Sequence, residues 1–88
     1  MEIINNTEES RFEVTVDGHL SIMNYILKDE SIALTHTSVP SSLRGRGVAA
    51  ELAKEAFAYA EKNHLKIIPI CSYISTFVTR YPEYRKFL

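Results

Sequence analysis

Apolar and polar residues alternate through residues 11–17, RFEVTVD. Phe12, Val14 and Val16 fall on one side and Arg11, Glu13, Thr15 and Asp17 on the other, which is the period-two pattern of a half-buried strand. Asp17-Gly18 is a hairpin-turn pair, and residues 20–28, LSIMNYILK, read as the returning strand. Asp29-Glu30 makes a second polar turn, after which residues 31–39, SIALTHTSV, alternate again as far as Pro40. Strands joined by such short turns form an antiparallel meander. A weaker strand signal lies at residues 2–5. Alternation carried through the third strand puts His36 on the face of Ile32 and Leu34.

The period then changes. Val48, Ala49, Leu52, Ala53, Ala56, Phe57 and Ala60 recur every three or four residues, and Glu51, Lys54, Glu55, Glu61 and Lys62 fall mainly on the other side. This predicts an amphipathic helix over Val48–Lys62. Ser41 and Ser42 are candidate caps near its entry, and Asn63 is a candidate left-handed stop. Residues 65–70, LKIIPI, read as a short apolar strand. The segment after Cys71 reads as one or two short helices divided by Pro82.

The order predicts an α/β fold: a mixed sheet of four or five strands, covered by one long helix and a short C-terminal one. A crossover helix makes strands 31–39 and 65–70 parallel neighbours. Pro69 has no N–H for a regular ladder, so the two strands should diverge near Val39 and Pro69.

At 88 residues the chain has room for one domain, spanning 1–88, and one modest core. Hydrophobic residues make up 45% and charged residues 24%, an ordinary balance for a globular protein. A formal net charge of -1 argues against a nucleic-acid binder, which needs a basic face. The single cysteine cannot form an internal disulfide and fits a reducing cytoplasm. No run is fit for a signal peptide or a membrane span, so the expectation is a cytoplasmic protein without a membrane partner.

Two of the three glycines, Gly45 and Gly47, alternate with Arg44 and Arg46 where the long helix begins. A helix start has backbone N–H groups without internal partners, and these favour an anion. Glycines let a phosphate approach the backbone, and arginines add charge and forked donors. The plain alternative is a strand-to-helix turn with solvated arginines. The P-loop pattern is absent. Gly45, Gly47 and Ala50 match G-x-G-x-x-A, but Cys71 and Ser72 stand where a dinucleotide site needs an acid, and the chain is too short for a second half.

Arg44, Gly47 and Ala49 form R-x-x-G-x-A. HTSVP precedes this loop at residues 36–40, and IIPICSY follows the helix at residues 67–73. Together, in this order and spacing, they resemble the GNAT N-acetyltransferase superfamily, and in particular a minimal subfamily of about this length. The resemblance implies acetyl-CoA as co-substrate, no metal, and transfer of an acetyl group to an amine. It places the CoA pyrophosphate on Arg44, Gly45, Arg46, Gly47, Val48 and Ala49. It runs the pantetheine arm beside Thr37, Ser38 and Val39, with the thioester in the gap between the diverging strands.

Cys71 closes the last strand near that gap, and a thiolate can take an acetyl group from a thioester and pass it to an amine. A lone cysteine is equally an ordinary small core residue, but the resemblance implies that this one lies at the active site. His36 is the candidate base, either for the amine or to hold a Cys71 thiolate, against the plainer role of a core histidine. Many GNAT enzymes use a glutamate on this strand; SIALTHTSV has none, and Glu30 lies at its far end. Tyr73 is a candidate acid for the leaving thiolate, or simply packing. No N-terminal helices wall the acceptor side, which suits a peptide or protein amine. The second reading is a CoA-binding module with little catalysis.

Overall fold

Strands β1 (Ile4–Asn6), β2 (Arg11–Val16), β3 (His19–Leu27) and β4 (Ser31–Ser38) each pair antiparallel with the next. They are seen in a computed structural model that describes all 88 residues. Helix α1 (Val48–Lys62) then crosses one face of the sheet to β5 (Lys66–Pro69), which lies parallel to β4. Helix α2 (Ser72–Arg80) and a 3₁₀ segment (Pro82–Phe87) follow, with Pro82 at the division between them. The result is the expected mixed sheet, in the order β1-β2-β3-β4-β5.

The β2–β3 hairpin turns on Asp17 and Gly18, both at positive φ (51° and 78°), which matches the twist of the flanking strands. Helix α1 buries Val48, Leu52, Ala53, Ala56, Phe57 and Ala60. Its three buried alanines let the helix sit close to the sheet. Phe57 is the bulky exception and stacks against Phe77 of α2 and Tyr84 and Phe87 of the 3₁₀ segment, at ring-centroid distances of 5.5, 5.1 and 5.5 Å. Phe12, Val14, Met23, Tyr25, Ile32, Leu34 and Ile67 of the sheet complete this core with Ile74, Phe77 and Val78 of α2. Both helices therefore cover the same face. On the other face Ile26, Ala33 and Ile68 form a cross-strand row, and Ile26 and Ile68 remain 54% and 41% exposed.

Three expectations are corrected. First, β4 does not alternate throughout. Asn24 pairs with His36 but Tyr25 pairs with Leu34, so Thr35 is an extra residue, a β-bulge. Met23 and Tyr25 are buried, so Asn24 and its partner His36 face the open side. His36 is exposed, away from Ile32 and Leu34, while Thr37 returns to the covered face opposite Met23. Second, Asn63 is not left-handed (φ −102°); His64 is (φ 55°). The Leu65 N–H bonds the Ala60 carbonyl and the His64 N–H bonds that of Glu61, which is a Schellman ending with histidine at the left-handed position. Third, Ser41 and Ser42 do not cap α1. They form a separate 3₁₀ turn (Ser41–Leu43), and the residue at the cap of α1 is Gly47.

Candidate active site

The β4–β5 ladder runs from Ser31 and Lys66 to Leu34 and Pro69 and stops there. Beyond Pro69 the chain folds back in a tight turn, with the Ile70 N–H donating to the Ile68 carbonyl at 3.0 Å. One last bond ties Cys71 N–H to the Leu34 carbonyl (2.8 Å), and α2 begins. Strand β4 continues through Ser38 with no β5 partner. This parts the parallel pair at Pro69 as expected, but on β4 the parting falls at Leu34, five residues before Val39, because Leu34 is the residue paired with Pro69. The bulge lies at the parting, and its effect is chemical. It turns Thr37 toward Cys71, with Oγ1 and Sγ 3.4 Å apart, and sends His36 to the opposite face. Cys71 is a free, half-buried thiol.

The second half of the site is the start of α1. Buried Leu43 anchors the 3₁₀ turn under the loop. Gly45 and Gly47 both take left-handed φ (79° and 78°), which a residue with a Cβ adopts at a cost of about 1–2 kcal/mol. No side chain caps the helix, and the amides of Gly47, Val48, Ala49 and Ala50 meet no protein acceptor. They border an open cleft of about 230 Å³ lined by Val39, Leu43, Arg44, Gly45, Gly47, Val48, Ala49 and Ala50, with Tyr73 and Arg80 of α2 forming the facing wall. Two other depressions mix signs. One carries Lys54 and Lys86 with Glu61 and Glu83, and the other carries Glu30 with Lys66. The glycine cleft alone has cationic side chains and no acid.

Of the residues expected at a CoA site, Val39, Arg44, Gly45, Gly47, Val48 and Ala49 line this cleft. Thr37 lies at the thiol instead, and Ser38 is exposed on the far side, paired with Ile22. Arg46 turns away and forms an ion pair with Asp17 at 2.8 Å, which holds the Asp17 carboxyl below its ordinary value. Tyr73 was expected as an acid at the thiolate or as packing and not as a wall of this cleft, and Arg80 escaped the reading of the sequence. Their spacing was the available signal, because residues seven apart share a helix face. Burial raises the Tyr73 phenol above the ordinary tyrosine value; Tyr81 adds to this and Arg80 opposes it.

A mixed sheet parted at one end of its parallel pair, with an uncapped glycine-bearing helix start beside the parting, defines an acetyltransferase-type fold. The chain belongs to the GCN5-related N-acetyl-transferase family, whose model matches residues 11–87. It is similar to a GCN5-like protein from Staphylococcus aureus solved by NMR, with a TM-score of 0.76 and 30% identity over 98% of this chain and 85% of that one. It is also 30% identical to Protein NATD1 of Xenopus tropicalis over 93% of this chain and 78% of that protein. The mouse protein of the same name is 30% identical over 93% of this chain and 77% of its own length. No helix is long and apolar enough to cross a membrane.

Proposed function

We propose that this protein transfers the acetyl group of acetyl-CoA to an amine of a peptide or protein, through Cys71. The observation that carries this reading is the acid-free cationic cleft at the uncapped start of α1, beside the unpaired length of β4 that leads to Cys71. The cleft suits the diphosphate, because uncapped amides and Arg44 offer donors and positive charge without a competing carboxylate. The unpaired part of β4 suits the pantetheine amides. In the reaction, Cys71 Sγ attacks the thioester carbonyl, acetyl passes to sulfur, and CoA leaves as a thiol with a proton from the site. The amine then attacks the thioester on Cys71, expels the thiolate and gives up its own proton. Tyr73, kept protonated by burial, suits the donor to the leaving sulfur. His36 lies on the opposite face of the sheet from Cys71, so on this reading the amine gives its proton to water.

A second reading, CoA binding without turnover, draws on a specific observation. The only side-chain polar partner of the Cys71 thiol is the Thr37 hydroxyl, so no base adjoins it. Intact mass spectrometry after incubation with acetyl-CoA, followed by a peptide-amine panel, separates the two. A gain of one acetyl group at Cys71 and acetylated peptide supports the proposal. Bound CoA with neither product supports the binding module and rejects transfer.

A further inference from the structure

We infer that Arg80, in the last turn of α2, is a diphosphate-binding residue that closes on the ligand from the wall facing Arg44. The inference rests on the CoA reading above and adds a residue outside the glycine loop.

Two arginines border a cleft of about 230 Å³, and neither has a carboxylate within ion-pair distance. The third nearby arginine, Arg46, is neutralised by Asp17. The unpaired amides at the start of α1 add partial positive charge to the same space. Like charges gathered around one opening repel, and an anion between them removes that cost. Arg80 also suits the carboxyl end of its own helix. That explains a basic residue there, but not its place in a cleft shared with Gly45 and Gly47.

Distance supports the assignment. Cys71 is the cap of α2 and Arg80 its last residue, nine positions on. At helical rise that is about 14 Å. A pantetheine arm, with its two amides, has the reach of about four extended residues, again about 14 Å. A thioester held at Cys71 therefore delivers its diphosphate to the level of Arg80. Helix α2 acts as a ruler between the reacting sulfur and the phosphates. Arg80 is a positioning residue on this account: it sets how far the arm extends into the parted sheet.

Titration calorimetry with the full chain tests this, using CoA and dephospho-CoA, which lacks the 3′-phosphate. Arg80→Gln should weaken both ligands by a similar factor, about ten- to a hundredfold, as expected for a charge-assisted contact. The salt dependence of the remaining binding should become shallower, and Arg80→Lys should recover part of the affinity. Arg80 is exposed, so the ligand-free melting temperature should hardly move in either variant. Equal binding by wild type and Arg80→Gln overturns the inference and leaves the CoA reading standing. A loss confined to CoA assigns Arg80 to the 3′-phosphate and overturns the diphosphate role. A wild type that binds neither ligand defeats the CoA reading itself.

Discussion

Thr37 Oγ1 lies 3.4 Å from Cys71 Sγ, across the point where β4 and β5 part, while His36, its neighbour in sequence, faces the other side of the sheet. The two residues differ in what they can do to the thiol. Thr37 can exchange a hydrogen bond with it. His36 is separated from it by the sheet.

The reactivity of the thiol should follow that division. Thr37→Val should change the rate at which iodoacetamide alkylates Cys71 at neutral pH, because it removes the hydroxyl and keeps the shape. His36→Ala should leave that rate within about twofold, a change worth under about 0.5 kcal/mol. A large effect of His36→Ala would mean that the imidazole reaches the thiol after all.

Cys71→Ala tests the covalent route. It should abolish acetyl transfer while CoA affinity stays within a few-fold of wild type, since Cys71 does not line the phosphate cleft. Transfer at the wild-type rate would reject the covalent intermediate and leave direct attack by the amine.

Gly47→Glu should remove CoA binding, because a carboxylate would stand where four amides wait for an anion. A Cβ at Gly47 meets no atom within 4 Å, so the stability cost is backbone strain alone, about 1–2 kcal/mol. Urea unfolding measures that cost and calorimetry measures the binding. A folded variant that binds CoA normally would move the phosphate site elsewhere.

His64→Gly should stabilise the protein by about 1 kcal/mol. It relieves a left-handed side-chain residue at the end of α1 and keeps both Schellman hydrogen bonds. A shift of the urea midpoint upward at constant slope is the expected result.

Alkaline stability should depend on Tyr25 and Tyr73. Burial raises both phenols, so each binds its proton more tightly folded than unfolded. Their contribution is complete below about pH 10, the ordinary tyrosine value, and falls as pH rises through the folded values. Urea titrations between about pH 8 and pH 11 should show a shallower decline for Tyr73→Phe and Tyr25→Phe than for wild type.

Much of this molecule was legible before its structure. The alternation at 11–17 and the change of period at Val48 located one strand's share of the core and the helix, because side-chain spacing directly reports which face is buried. Pro69 marked the end of the parallel ladder because a missing N–H is visible in a sequence. The bulge at Thr35 was not legible. Nothing in SIALTHTSV distinguishes an extra residue from a paired one; only the register against β3 does. The same limit misplaced the arginines. Arg44 and Arg46 are equivalent in RGRG, and what separates them is Asp17, which lies 29 positions from Arg46. Arg80 reaches the cleft only because α2 folds back beside α1.

The extra residue in β4 works like a frameshift confined to three positions. Before Thr35, even-numbered residues belong to the interior; after it, odd-numbered ones do. Deleting Thr35 would remove the bulge but leave His36 opposite Asn24 on the open face and Thr37 opposite Met23 on the covered one, because Leu34, His36 and Thr37 would then simply alternate. The change that matters is the opposite one: were Thr35 paired with Asn24 and the bulge absent, His36 would turn inward beneath the helices, Thr37 would face the open side, and the contact at the thiol would be lost. Relatives of the same length in which the residue before HTSVP pairs in register would therefore present different chemistry at the parting with the same letters in the motif. Aligning the motif alone would not reveal it.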